Sequence, residues 1–485
     1  MARKKAWTKK KRQKAARRGV RTRRKRQHMI AQARQNPNTG YALLLPFGTW
    51  LHHSIKLKQR IAERVSLRKG KNSTFSVADV LTGLVLALQA GITHLSHLDK
   101  LALEVRLAES IGLPHFFGET TAGDVLRRAE RVHVLQLRRL LWRLVCEWVA
   151  AADTIEIEIV GDVTSHPSDS YQREQVAYGY CNGPRKPCLK QGRVVVNGLP
   201  IYVAVFPGHI NPQTPFDQAL ALARLFCRDY RSRIIHVSFD SGFASEAHRR
   251  RLIALARRYR NFRFTFSVAI PNPHSVAAAV VAQAKAKPRK TWRRANARTR
   301  VVEMNWRHLY EDSDSKTRVI VVESTEKSRP QPPPKRKRQK PSRAPIRYYL
   351  IATNHSQSER KAKHVFKRHH RRAGVEFSIK DSKQSYDLDH LPHERFEANQ
   401  MFLLIATLAQ VLGVLYNQQV LPKKPAGSLI VTVRTDLWCR PGQVINATHI
   451  VIAPVYRRLT LVRRMCRAIG LHFGISIVMM GFDSS

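Results

Sequence analysis

From Thr154 the chain alternates. Ile155, Ile157 and Ile159 fall at every second position, with Thr154, Glu156 and Glu158 between them, and Asp162 closes the run. A period of two is the signature of a strand with two unlike faces. Downstream, two β-rich runs, Gly192 to Val196 and Leu199 to Phe206, flank Asn197-Gly198, and that dipeptide predicts a hairpin. A helix-like segment from Pro215 to Tyr230 precedes a strand from Arg233 to Asp240. A second, from Ser245 to Tyr259, precedes a strand from Phe262 to Val268. Strand, hairpin, helix, strand, helix, strand is the order of a mixed α/β sheet with a parallel crossover portion.

The flanks have other periods. Residues 41–150 read as helical. Phe75 to Leu88 has an apolar face and a Ser/Asp-rich start, another helix begins near Thr121, and a long one runs from His133 to Ala151. Beyond 270 come three β-rich runs, Arg300 to Trp306, Thr317 to Glu323 and Ile346 to Thr353, with a long basic, proline-rich loop over about 325–345. A helix-like segment then spans His369 to Lys383. An apolar helix follows from Pro392 to Gln418, then an extended piece from Ser428 to Val433 and a basic helix from Arg457 to Ile469.

Charge changes the picture most. The 485 residues hold 86 Lys+Arg against 34 Asp+Glu, a formal net charge of +52. A chain that repels itself so strongly suits a polyanionic partner, and nucleic acid is the obvious one. Residues 1–27 alone hold fifteen Lys/Arg and no acid, which reads as a disordered, DNA-tracking arm. The chain shows no signal peptide, and its longest apolar stretch, Met401 to Tyr416, is short and broken by Gln410, so no membrane role is expected. The six cysteines are scattered, without zinc-ribbon spacing, and read as free thiols of a reducing cytoplasm.

Three acids are the candidates for chemistry. Asp162 and Asp240 each close a strand-like run, and Glu376 lies in the helix-like segment. Hard divalent cations take carboxylate oxygens, and two such ions can clamp the attacking and leaving oxygens at a phosphate. This donor set therefore suits two Mg²⁺ or Mn²⁺ ions. If His369 to Lys383 forms one helix, His369, Arg372, Glu376 and Lys383 fall within an arc of about 60°. Such a face joins one metal-holding acid to cations that hold phosphate oxygens. The plainer reading of the segment is a surface helix with Arg372, Glu376 and Lys380 in i,i+4 pairs. Glu156 and Glu158 read as an exposed strand face, Asp387 and Asp389 as a turn, and His166 as a candidate for the site mouth.

The spacing His369-x2-Arg372-x3-Glu376-x6-Lys383 resembles the Tyr-x2-Arg-x3-Glu-x6-Lys signature of DDE-type insertion-sequence transposases, with histidine at the tyrosine place. Tyr178-Gly-Tyr, Gly198-Leu-Pro-Ile and Phe206-Pro-Gly-His look like that family's block between its first two aspartates. Phe239-Asp-Ser-Gly-Phe-Ala looks like its second-aspartate motif, and Arg395-Phe-Glu-Ala-Asn-Gln like the helix after the glutamate. The likeness covers about 75–470. It implies an RNase H-like mixed-sheet α/β core with a β-rich insertion, preceded by a helical DNA-binding region. It further implies Asp162, Asp240 and Glu376 as ligands of two Mg²⁺ (or Mn²⁺) ions. Arg372, Lys383, Lys380 and His369 become DNA-binding candidates. Trp292 and Trp306 are candidates for stacking on a base, against the plainer reading of core tryptophans.

The organisation expected on this basis is a basic arm at 1–40, a helical DNA-binding domain at 41–150, and a core in two parts at 151–270 and 361–420. The β-rich insertion falls at 271–360, and a C-terminal region at 421–485 is set aside for DNA or dimer contact. The function expected is cut-and-paste DNA transposition: metal-dependent cleavage at transposon ends, then strand transfer. The partners would be double-stranded end and target DNA and a second copy of the chain, in a prokaryotic cytoplasm, associated with the nucleoid. Two alternatives stand beside it, a non-catalytic nucleic-acid-binding descendant of a transposase and a nuclease with the same core.

Overall fold

The computed structural model describes residues 20–21, 24–25, 27–70, 73–168, 172–181, 184–210, 213–270, 272–305, 317–325, 346–422, 428–446, 448–453 and 459–479. Trp306, most of the basic arm and nearly all of the 325–345 loop lie outside these residues. The chain forms two compact units. One comprises 1–141, 172–174 and 381–485, and the other 142–171 and 175–380.

The first unit opens with strand β1 (Asn38–Thr39) and helices α1 (Leu45–His53), α2 (Leu57–Arg64), α3 (Val77–Gln89), α4 (Val105–Glu109), α5 (Glu119–Arg127) and the start of α6 (Arg131–Ala151). Helix α3 begins where the sequence indicates. Ser76 accepts from the Asp79 N–H while the Asp79 carboxylate accepts from the Ser76 N–H, a reciprocal cap.

The second unit is built on one large sheet. Its strands are β2 (Glu156–Pro167), β3 (Ala177–Tyr180), β4 (Arg185–Val196), β5 (Leu199–Pro207), β6 (Ile234–Phe239), β7 (Phe262–Val268), β8 (Arg293–Asn296), β9 (Thr299–Asn305), β10 (Arg318–Thr325) and β11 (Ile346–Thr353). Their order is β3-β4-β2-β6-β7-β11-β10-β9-β8, with β5 also paired to β4. Strands β2, β6 and β7 are parallel, and the pairings on either side of them are antiparallel. The β4–β5 hairpin turns at Asn197 and Gly198, both at positive φ (47° and 88°), the conformation for which Asn-Gly is selected. Strands β8 to β11 continue the main sheet beyond β7.

Helices cover both faces of the parallel portion. On one side α7 (Thr214–Asp229) and α8 (Glu246–Arg258) follow β5 and β6. Phe216 of α7 meets Phe239 of β6 at 4.7 Å between rings. Gly161 and Gly192 leave room for Pro215; a Cβ at Gly192 would stand 2.6 Å from its ring. After α9 (Val276–Ala286), the other face receives α10 (Ala362–His370) and α11 (Ala373–Tyr386). Helix α10 packs Val365 and Phe366 on Val301, Ile320, Val322 and Ile351. Helix α11 sets Val375 and Ile379 on Val160 and Val195.

The chain then returns to the first unit. Helix α12 (Phe396–Val420) is the apolar helix expected, and 89% of its most apolar window is buried. Its length and composition would allow a membrane crossing, but here it is a core helix. Ser428 to Val433 is not extended: Ile430–Val433 forms a helical turn, α13. The Ile430 N–H donates to the buried Asp381 carboxylate (2.9 Å), a cap from far along the chain that no local pattern reveals. Strands β12 (Gly442–Asn446) and β13 (His449–Ile452), helix α14 (Leu459–Phe473) and strand β14 (Ser476–Met479) complete this unit, the strands pairing as β1-β12-β13-β14.

Candidate active site

Strand alternation puts Glu156, Glu158, Val160 and Asp162 on one face of β2, with Ile157 and Ile159 buried on the other. The parallel ladder with β6 aligns Glu158 with His236 and Val160 with Ser238, and ends there. Two residues further along each segment come Asp162 and Asp240. Asp162 on β2 and Asp240 just beyond β6 therefore stand on neighbouring segments at the end of the same ladder. Asp162 does not close β2, as the sequence suggested. The strand runs on to Pro167, held by β4, and Asp162 stands where β6 diverges and β4 continues. Asp240 directly follows β6 and caps the turn Ser241–Phe243, its Oδ1 accepting from the Gly242 N–H (3.0 Å).

Glu376 comes from the same side of the sheet, in the first turn of α11, with its side chain 61% exposed. One guanidinium links it to the second aspartate. Arg372 Nη2 lies 3.6 Å from Glu376 Oε1, and its Nη1 lies 4.0 Å from Asp240 Oδ2. Asp162 feels all three groups. Burial and the neighbouring Asp240 charge push its carboxyl up to about 6, against the pull of the Val163 N–H (2.7 Å) and of Arg372. Among the described residues no three His, Cys, Asp or Glu side chains are already gathered at metal-holding distance. The donor set nonetheless fits a hard dication. It consists of carboxylate oxygens, and one of them bears a burial and repulsion cost that a cation would relieve.

The sequence matches the family described as Transposase DDE domain group 1 over residues 43–453. The chain belongs to that DDE transposase family. No curated protein matches it. Among solved structures it is similar to a piggyBac transposase synaptic complex with hairpin DNA, at 14% identity and a TM-score of 0.38, covering 83% of this chain and 81% of that one. It is also similar to a Mos1 transposase paired-end complex with left transposon end, at 14% identity and a TM-score of 0.15, covering 41% and 60% respectively.

The other candidate residues of this transposase-family chain are spread more widely. The segment from His369 to Lys383 is not one helix. The bonds Arg371 N–H to Arg368 O, Arg372 N–H to His369 O, Gly374 N–H to Arg371 O and Val375 N–H to Arg372 O are all three-residue spans. They tighten the turn between α10 and α11 and rotate one helix face against the other. Arg372, Glu376 and His369 line one cavity, but both ring nitrogens of His369 are engaged with β7. His369 is buried there, with Nε2 at 2.8 Å from Ser267 Oγ and Nδ1 at 3.1 Å from Thr265 Oγ1. Burial and then Arg372 push its imidazole down to about 3. Lys380 is exposed. Lys383 is ion-paired with Asp389 at 2.7 Å. Trp292 is 7% exposed, edge-on to Tyr348 and beneath Arg289.

Other surroundings had no sequence signal. Glu156 and Glu158 are not an exposed face. Arg368, buried in α10, lies 2.9 Å from Glu156 and 3.7 Å from Glu158, and Arg360 lies 2.8 Å from Glu156. His166 is buried beside Gln191 rather than at a site mouth. A cavity of about 760 Å³ opens beside Glu376, lined by it and Arg372 together with Tyr348, Tyr349, Lys367 and His370; neither aspartate is in its lining. Tyr349 Oη and His370 Nε2 are 2.8 Å apart on its wall.

Proposed function

We propose that this chain is a cut-and-paste DNA transposase whose active site is formed by Asp162, Asp240 and Glu376. The observation that carries the reading is that Arg372 lies within reach of both Asp240 and Glu376, while the Asp240 charge beside the end of the β2–β6 ladder helps push the Asp162 carboxyl up. The sheet order β5-β4-β2-β6-β7, antiparallel then parallel, supports an RNase H-like core. Two divalent cations held by the three carboxylates would activate water and stabilise the leaving oxygen. The chain's own groups bind and orient. Arg372 offers a planar two-pronged donor to a phosphate once its carboxylates are engaged elsewhere. Lys367 and Lys380 add exposed cations near the same helix junction. In the first step a water oxygen bonds to phosphorus as the 3′-oxygen leaves with the proton. In the second, the oxygen of that 3′-hydroxyl bonds to another phosphorus as the 3′-oxygen of the attacked phosphate leaves with the proton. The net charge of +52 suits long stretches of duplex DNA.

The test is direct. The purified chain is incubated with Mg²⁺ and linear DNA carrying the two sequence ends that flank its gene. The reading expects nicks with free 3′-hydroxyls at those ends and, later, joined products. Cuts without joining would support a nuclease. Binding without cutting would support a non-catalytic protein.

A further inference from the structure

The helix that carries Glu376 has to be fixed to the strand that carries Asp162, because the two acids come from segments more than two hundred residues apart. Apolar contacts do part of this, through Val375 and Ile379 on Val160 and Val195. Such contacts are non-directional and leave rotation and sliding of α11 loosely set. One directional tie crosses the same interface. Arg193 of β4 stands directly opposite Asp162 in the antiparallel β2–β4 register, and opposed residues share a sheet face. Its side chain is fully buried. Its Nη1 donates to Ser378 Oγ (2.9 Å) and to the Ser378 carbonyl oxygen (3.0 Å). Ser378 lies two residues beyond Glu376 in α11.

The guanidinium is itself held. With the Gln191 amide turned to satisfy both its neighbours, the amide oxygen accepts from Arg193 Nη2 (3.0 Å) and Nε (3.2 Å), while its nitrogen donates to His166 Nε2 (2.5 Å). A row of buried polar groups, His166–Gln191–Arg193–Ser378, thus runs from β2 through β4 to the helix of Glu376. A buried arginine is a costly way to fill space, since removing its charge from water is repaid only when its donors are met in the right geometry. A rigid, planar, multiply bonded group is well suited to fixing distance and angle at once.

We propose that Arg193 is a positioning residue for the metal site: through Ser378 it sets the height and rotation of α11, and so the place of the Glu376 carboxylate relative to Asp162. This rests on the reading of Asp162 and Glu376 as metal ligands. Groups outside the ligand shell that orient the ligands typically account for ten- to hundredfold in metal affinity.

The experiment is a Mn²⁺ titration of the full chain, without DNA, followed by electron paramagnetic resonance of free Mn²⁺ well below the unfolding temperature. Four proteins are compared: wild type, Glu376→Gln, Arg193→Lys and Ser378→Ala. Wild type should show a site that Glu376→Gln removes. Arg193→Lys should weaken that site about tenfold, because an ammonium cannot serve Gln191 and both Ser378 oxygens in one plane. Ser378→Ala, which keeps the carbonyl contact, should weaken it several-fold, and it carries the test if the lysine variant does not fold. A merely structural arginine would lower the unfolding midpoint and leave Mn²⁺ affinity of the folded protein unchanged; that result overturns the proposal. Absence in wild type of any site sensitive to Glu376→Gln would instead overturn the metal reading, and this inference with it.

Discussion

Replacing Asp162 by asparagine should stabilise the metal-free protein while removing its activity. The folded state holds this carboxyl at about 6 rather than at its ordinary 3.8, because it is buried beside Asp240. At about 1.4 kcal/mol per tenfold change in proton affinity, that corresponds to roughly 3 kcal/mol of lost stability once the group is ionised. The sign follows from proton binding. Between 3.8 and about 6 the folded protein holds the proton more tightly than the unfolded chain. Stability from this group is therefore full below 3.8, falls as pH rises through about 6, and stays low at neutral pH. Asparagine keeps an oxygen for the Val163 N–H but carries no charge. Its own desolvation reduces the gain, leaving about 1–3 kcal/mol. The assay is urea unfolding in EDTA, for wild type and Asp162→Asn, at pH 7.5 and at pH 4.5. The variant should unfold at higher urea at pH 7.5, and the gap should narrow at pH 4.5. Saturating Mg²⁺ should also close it, by stabilising only the protein that binds the ion. An asparagine variant no more stable than wild type at pH 7.5 in EDTA would refute the electrostatic account of this site.

Two further expectations concern nearby groups. Arg372→Ala should lower end cleavage by about ten- to hundredfold, the equivalent of losing one charge-assisted phosphate contact of about 1.5–3 kcal/mol. Arg372→Lys should recover only part of it; wild-type cleavage by the alanine variant would reduce Arg372 to an ordinary surface ion pair. Burial pushes His355 and His369 down to about 3 and His236 down as well. The unfolded chain binds these protons first, so stability should be complete above about 6.5 and should fall as pH drops towards 3. Asp162 titrates in the opposite sense, so the measurement is made on Asp162→Asn; unfolding midpoints of that variant that do not change between pH 7.5 and 5 would contradict this.

Much of the second unit was legible in the sequence because its signals are local. The alternation around Ile155 to Ile159, the Asn197-Gly198 turn and the strand–helix order each follow from a few adjacent residues. What was not legible depends on distant partners. Glu156 and Glu158 look solvent-facing until α10 brings Arg360 and Arg368 over them. Thr164 to Pro167 does not read as strand, yet pairing with β4 keeps it extended. The break between α10 and α11 is a change of hydrogen-bond span, and neither Arg371 nor Arg372 is a residue that marks one. Arg193 has no signal of its own within the β-rich run Gly192 to Val196; only the register with Asp162 and the docking of α11 reveal it. The three acids could be nominated from spacing and resemblance, but the approach of Asp162 to Asp240 depends on where the β2–β6 ladder ends, and no sequence period encodes that.

The central claim is that Asp162, Asp240 and Glu376 form one metal-dependent active site on a DNA-binding chain. The measurement that tests it most directly is Mg²⁺-dependent cleavage of flanking-end DNA by Asp162→Asn, Asp240→Asn and Glu376→Gln, with DNA affinity measured on the same preparations. The account predicts that each substitution abolishes cleavage and that DNA affinity stays near wild type, since no positive charge is removed. Near-normal cleavage by any one of the three would contradict it.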